Sequence, residues 1–190
     1  MHSTCTDATT KAARRYVSPR TRPLTESEAQ TRALAYMLKD PDCDQDLIDA
    51  AAREMARLID GERGYLVPVP SHTRCTRANR RLADAIAFCT GNKFEVYDIL
   101  DRTEPGESTC ERHRKRLPPI EPDAHQIILH RTAHLTLTGT EKIYFVDNVI
   151  TSGNTIEACR RAMIGLGTGL VYADAHHDVP NKLAQKGTAP

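Results

Sequence analysis

Residues 142–155 read Lys-Ile-Tyr-Phe-Val-Asp-Asn-Val-Ile-Thr-Ser-Gly-Asn-Thr, and this stretch decides the fold class. Ile143 to Val146 is a continuous apolar, β-rich run, the pattern of a parallel strand covered on both faces. Beyond Thr155 the apolar positions Ile156, Cys159 and Met163 keep helical spacing. The small polar turn between them therefore falls at the carboxyl end of a strand and the amino end of a helix. Ligands of open α/β sheets bind at that position. The first N–H groups of a helix lack internal partners, and the helix dipole favours negative charge there. Gly153 lets the backbone approach a phosphate closely. The hydroxyls of Thr151, Ser152 and Thr155, which bracket Asn154, can donate further hydrogen bonds. Asp147 is acceptor-only when ionised and suits the hydroxyls of a ribose; Asn148 accepts as well but carries no charge. The same turn also suits an α/β domain whose helix start is merely capped, with no ligand beside it.

A second segment has the same design. Gly64-Tyr-Leu-Val-Pro-Val-Pro70 reads as a buried strand ending in prolines. Pro68 and Pro70 cannot donate to a ladder, so pairing should stop there. The loop Ser71-His-Thr-Arg-Cys-Thr-Arg-Ala-Asn79 follows, and then a helix with Leu82, Ala85, Ile86 and Cys89 on one face. Arg74 and Arg77 are the natural cations of that loop, because guanidinium binds phosphate oxygens in a fork. A solvated basic surface loop fits the same residues.

The run from Lys142 to Thr155 resembles the signature of type I phosphoribosyltransferases. In that family four hydrophobic residues precede an acidic pair, and a Thr/Ser-Gly-x-Thr loop follows. The Val-Pro-Val-Pro strand with its basic loop resembles the ComF-type, competence-associated branch. The resemblance implies a mainly parallel sheet flanked by helices, in an α/β fold. It implies that Asp147 and Asn148 meet the ribose of phosphoribosyl pyrophosphate and that Thr151, Ser152, Gly153, Asn154 and Thr155 hold its 5′-phosphate. Arg74 and Arg77 would meet the pyrophosphate. Mg²⁺ would enter with the ligand, a nitrogenous acceptor would displace pyrophosphate, and a homodimer would be the assembly to test for. Asn148 departs from the pattern, since the family usually has a second carboxylate there. That departure keeps open an alternative: a non-catalytic sensor that binds phosphoribosyl pyrophosphate or a nucleotide. A domain for some other phosphate is a third reading.

The segment 101–123 holds four prolines, one glycine and the cluster Glu111-Arg-His-Arg-Lys-Arg116. A stretch this long without periodicity is either a functional flap or a disordered, solvated charge run. In the family a flexible basic loop at this point closes over the active site, which would make Arg102, Arg112, Arg114, Lys115 and Arg116 its cations. The cluster lacks interleaved aromatics, which argues against nucleic acid as the partner.

The chain has 190 residues, enough for one domain with a core of its own. Residues 1–22 are polar and rich in Thr and Arg and read as a flexible tail, leaving 23–190 as a single domain. The net charge of +1 provides no bulk field toward nucleic acid or membrane, so any cationic effect must be local. No apolar stretch approaches the length of a membrane helix, and the amino terminus has no signal-peptide core. The six cysteines are scattered without a Cys-x-x-Cys, which suits reduced thiols and a cytoplasmic location. Cys89 and Cys159 fall on apolar helical faces and read as core residues; Cys75 falls in the basic loop. His130 with His134, and His176-His177-Asp178, form no closed ligand set, so no protein metal site is expected.

Thr25-Glu-Ser-Glu28 is a capping box, predicting a helix to about Lys39 with Leu34, Met37 and Leu38 inward. Asp44 caps a second helix with the stripe Leu47, Ile48, Ala51, Met55, Leu58 and Ile59, ended by Gly61 or Gly64. These two helices would cover one sheet face or form part of a hood over the base. Further strands are expected at Phe94 to Leu100, Gln126 to Leu129, Leu135 to Leu137 and Leu170 to Ala175.

Overall fold

Apolar strands separated by amphipathic helices do build a parallel sheet covered on both sides. The computed structural model describes residues 10–17, 22–61, 63–107, 112, 115–118, 120–130 and 141–175. Its strands are β1 (Thr10–Arg15), β2 (Gly64–Pro68), β3 (Phe94–Val96), β4 (Leu100–Arg102), β5 (Ile127–Leu129), β6 (Lys142–Ile150) and β7 (Thr168–Asp174). Its helices are α1 (Glu26–Met37), α2 (Gln45–Ala56), α3 (Arg77–Cys89) and α4 (Asn154–Ala162), with a 3₁₀ turn at Pro122–His125. The main sheet has five strands in the order β1-β7-β6-β2-β3, every adjacent pair parallel. β4 and β5 pair antiparallel in a separate two-stranded sheet.

The central strands are apolar on both faces, with period two. Leu66, Tyr144, Val146, Leu170 and Tyr172 join the core under α1, α2 and α3. Val67, Ile143, Phe145 and Val171 join the opposite core, built with Ile156, Cys159 and Met163 of α4 and with Leu100 and Ile127 of the small sheet. The two amino-terminal helices thus cover one face. Their caps are those read from the sequence: Thr25 and Glu28 exchange side chain-to-backbone bonds at 3.3 and 2.9 Å, and Asp44 accepts from the Asp46 N–H at 2.8 Å.

Several expectations need correction. Residues 10–15, assigned to a loose tail, form the edge strand β1 on β7. Charged side chains hide this strand in the sequence and also secure it: Arg14 grips Glu54 of α2 through two nitrogens at 2.6 and 2.7 Å, and Lys11 reaches Asp60 at 3.0 Å. Charge on an edge strand deters pairing with a further chain. Residues 1–9 and 18–21 of the same stretch lie outside the described residues. The strand expected from Phe94 to Leu100 is two strands, with β4 leaving the main sheet. Met37 is half-exposed, because α1 buries the stripe Thr31, Ala35 and Leu38 instead. Cys89 is exposed beside Phe88, which is 79% exposed at the last turn of α3, beyond its sheet contact. α2 ends at Ala56, although Leu58 and Ile59 continue its packing through a three-residue turn. The expected strand at Leu135 to Leu137 lies outside the described residues, as do His134 and His176 to Asp178. Among the described residues no helix is long and apolar enough to cross a membrane.

Candidate functional site

The chain leaves β2 in one direction along the sheet, to β3, and returns to the other side of β2 as β6, continuing to β7. The strand order therefore reverses between β2 and β6, the place where loops diverge and a crevice opens at the carboxyl ends of the strands. Both motifs singled out in the sequence end at this reversal point. β2 pairs with β6 only as far as Pro68 opposite Val146. β6 continues to Ile150 along β7; the Val69 N–H still donates to the Val146 carbonyl at 3.0 Å, and Asp147 and Asn148 lie just past that bond.

The loop after β2 is closed by its own hydrogen bonds. Ser71 Oγ accepts from the N–H groups of Thr73 and Cys75 at 3.3 and 3.2 Å, and the Ser71 N–H donates to the Cys75 carbonyl at 3.0 Å. Arg74 at its apex has φ +69°, an uncommon conformation for a residue with a side chain and a form of local strain. Arg74 is exposed and 4.0 Å from Asp101. Arg77, grouped with it in the sequence, turns instead toward Asp42 at 2.8 Å, between α1 and α2. Such exposed pairs are weak, so an anionic ligand can displace either carboxylate.

The turn after β6 presents the start of α4. Gly153 is its N-cap with φ +80°, and no side chain caps the helix from that position. A side chain at Gly153 would meet only Ile150 Cδ1, at 3.8 Å, so the conformation rather than the space calls for glycine. The Asn154 N–H approaches Ser152 Oγ at 3.4 Å, while the Asn154 side chain donates to the Ile120 carbonyl at 2.7 Å. Asn154 thus ties the turn to the segment before the 3₁₀ turn. Thr151 is exposed, and Ser152 and Thr155 are partly exposed.

Asp147 is partly buried and heavily bonded. Its Oδ1 accepts from the Asn148 N–H at 2.8 Å and from Asn79 Nδ2 at 3.2 Å. Asn79 Nδ2 also donates to the Val69 carbonyl at 2.8 Å, so one amide joins the end of β2 to Asp147. Burial raises the Asp147 pKa above the usual carboxylate range; those two bonds and the charges of Lys39 and Arg102 oppose the rise. Asn148 is 8% exposed, facing the interior more than the crevice.

Asn79, His125 and Lys39 were not singled out by sequence reasoning as members of this site. Asn79 gave a signal: it occupies the same helical stripe as Leu82, Ala83 and Ile86, where a polar residue is out of place. Arg102 was expected as an exposed lid cation; it is 5% exposed in β4 instead. Its Nη1 donates to the His125 carbonyl at 2.9 Å, and the guanidinium approaches His125 Nδ1 at 3.4 and 3.5 Å. Arg102 has only donors, so Nδ1 must accept and the ring proton sits on Nε2. Arg112 and Lys115 of the basic segment engage Glu107 at 3.3 and 2.5 Å; Arg114 lies outside the described residues.

Burial, and then Arg102, push the His125 pKa from 6.5 down to about 4. The unfolded imidazole takes up a proton near its ordinary pKa and the folded one only near 4, so stability is lost as pH falls across that interval. The urea midpoint is expected to decline between about pH 7 and about pH 4, and His125→Gln should show a smaller decline. Among the described residues no group of three or more His, Cys, Asp or Glu side chains converges on a metal position. Comparison of the chain with protein-family models and with curated proteins gives no match.

Proposed function

We propose that the crevice between β2 and β6 binds phosphoribosyl pyrophosphate with Mg²⁺, and that the chain transfers its ribose 5-phosphate to a nitrogenous acceptor with release of pyrophosphate. The fold would then be the type I phosphoribosyltransferase variant of the parallel α/β sheet. One observation carries the reading. The two segments that resemble this family, far apart in sequence, end side by side at the strand-order reversal and are joined there by Asn79.

In this reading Asp147 accepts from the ribose hydroxyls. The amides at the start of α4, with Thr151, Ser152 and Thr155, hold the 5′-phosphate. Arg74 meets the pyrophosphate after leaving Asp101. Mg²⁺ would be held largely by the ligand's own oxygens and by water, as that ion prefers. Bound Mg²⁺ supplies charge neutralisation for the departing pyrophosphate. The chain's own contribution is positioning and fixed donors where charge develops.

Calorimetric titration with phosphoribosyl pyrophosphate and Mg²⁺ tests the reading. Wild type should bind, and Asp147→Ala should bind about ten- to a hundredfold more weakly, the worth of hydrogen bonds to a charged acceptor. Equal affinity in the two proteins would remove Asp147 from the site. Asn148, neutral and buried where the family usually carries a carboxylate, favours a second reading as a ligand-binding sensor. Pyrophosphate release with a panel of bases separates them, since a sensor binds without release.

A further inference from the structure

We propose that the end of α1 carries a carboxylate subsite, in which Arg32 and Lys39 converge on the ring of Tyr36, and that it takes the negative group of a planar nitrogenous acceptor. The subsite stands on the geometry of the chain; its use by the acceptor rests on the function proposed above.

A line of bonds places this cluster at the same edge of the sheet as the turn after β6. The Ala175 N–H donates to the Ile150 carbonyl at 2.9 Å, the Tyr16 N–H to the Asp174 carbonyl at 2.7 Å, and Arg32 Nε to the Tyr16 hydroxyl at 3.3 Å. The main-sheet strands all run the same way, so the ends of β6, β7 and β1 lie along one edge. Two strand spacings make the step from Ile150 to Tyr16 about 10 Å. The other flank is fixed from α3. Arg81 Nη1 donates to the Pro41 and Cys43 carbonyls at 2.7 and 2.9 Å, and Arg77 pairs with Asp42. The segment after Lys39 is thus held against the first turns of the helix whose Asn79 bonds Asp147. Tyr36 and Lys39 stand between these two anchors, on the rim of the carboxyl edge.

Lys39 Nζ lies 5.3 Å and Arg32 Cζ 5.5 Å from the Tyr36 ring centroid. A ring attracts each cation, but two cations on one ring repel each other. Among the described residues neither pairs with a carboxylate, whereas Arg14, Arg22, Arg77 and Arg161 all do. An anion seated between Arg32 and Lys39 supplies the missing charge. The guanidinium fork matches the two oxygens of a carboxylate, and the lysine adds a point charge. Tyr36 is 45% exposed, so its ring also offers surface to a flat, apolar ligand body. That ring suits a carboxylate borne on a planar group, where the turn at Gly153 offers amides and hydroxyls instead. In the transfer, the lone pair of the acceptor's ring nitrogen bonds to C1 as the C1–O bond breaks, and the electron pair of that bond leaves with pyrophosphate. Arg32 and Lys39 take no part in this exchange; they fix where the acceptor lies.

Proton NMR titration of the full, ligand-free chain with benzoate and with benzamide, one ring with and without charge, tests the subsite. The Tyr36 ring signals, identified by their loss in Tyr36→Leu, report binding. Benzoate should bind at least about tenfold more tightly than benzamide. Arg32→Gln and Lys39→Gln should each remove that preference, and Lys39→Arg should retain it. Arg53→Gln, which deletes an equal charge from an exposed position of α2, should leave it unchanged. Equal binding of the two compounds by wild type would overturn the proposal, whether or not the variants fold. A preference lost equally in Arg53→Gln would overturn it too, as an effect of bulk charge. With phosphoribosyl pyrophosphate and Mg²⁺ present, carboxylated nitrogen heterocycles should release pyrophosphate at least about tenfold faster than their carboxamides. Equal release from both would remove the acceptor role. A chain that prefers benzoate without binding phosphoribosyl pyrophosphate keeps the subsite and loses the reading of the crevice. One that binds phosphoribosyl pyrophosphate but not benzoate keeps that reading and loses the subsite.

Discussion

Gly64→Ala is expected to destabilise the domain by about 3 kcal/mol or more, the upper range for forcing atoms into a filled site. Gly64 faces Lys142 across the β2–β6 rung. A Cβ added there would lie 2.0 Å from the Lys142 carbonyl oxygen and 2.8 Å from its carbonyl carbon and nitrogen. All three are backbone atoms, so no side chain can rotate away, and the two strands must separate where the crevice-forming pair begins. A loss of that size is a large share of the roughly 5–15 kcal/mol that holds a domain together. Gly91→Ala is the control: Gly91 has φ +68° but nothing within 4 Å of an added Cβ, so only the milder backbone strain applies. Urea denaturation of both variants decides the matter. A Gly64→Ala protein within about 1 kcal/mol of wild type would mean that β2 and β6 do not pair in this register.

Gly153→Val is expected to weaken phosphoribosyl pyrophosphate binding about a hundredfold while leaving most of the fold intact. At φ +80° a β-branched residue is strained by about 1–3 kcal/mol, and the turn relieves this by changing shape. Reshaping it re-aims the first N–H groups of α4 and the flanking hydroxyls together. The core side of α4, anchored by Ile156, Cys159 and Met163, need not move. Because an added Cβ meets only Ile150 Cδ1, the effect isolates conformation from crowding. A graded series follows: Gly153→Asn, which tolerates the left-handed region, should bind close to wild type, alanine should be intermediate and valine weakest. Calorimetry across the series reads the order. Equal affinity for the valine and asparagine proteins would show that the turn does not hold the phosphate.

The parallel sheet was legible because its strands are apolar on both faces. Ile143 to Val146 and Tyr65 to Val67 could not be mistaken for half-exposed strands, and Thr25 and Asp44 marked helix starts by side-chain chemistry alone. β1 was not legible, because its two apolar residues, Ala12 and Ala13, are only partly buried and its ladder and ion-pair partners lie far away in the sequence. The candidate site was legible where one segment contains the geometry, as in the turn at Gly153. It was not legible where distant elements converge. Arg77 looks like a partner for Arg74 in the sequence, yet one helical turn sends it to Asp42. Arg102 looks like a surface cation, since nothing in Leu-Asp-Arg tells that β4 packs it against His125.

Spatial neighbours and order of synthesis disagree at one margin of the sheet. β1 is made before every other described strand, and its partner β7 after all of them. Bringing together ends so widely separated carries a large closure entropy, and contacts of this kind slow folding. Until residues 168–174 exist, β1 has no ladder to join, and until β1 docks, the outer hydrogen-bonding edge of β7 stands open. The β1–β7 ladder therefore closes only after residues 168–174 have been made, far along the sheet from the reversal point where the proposed chemistry resides.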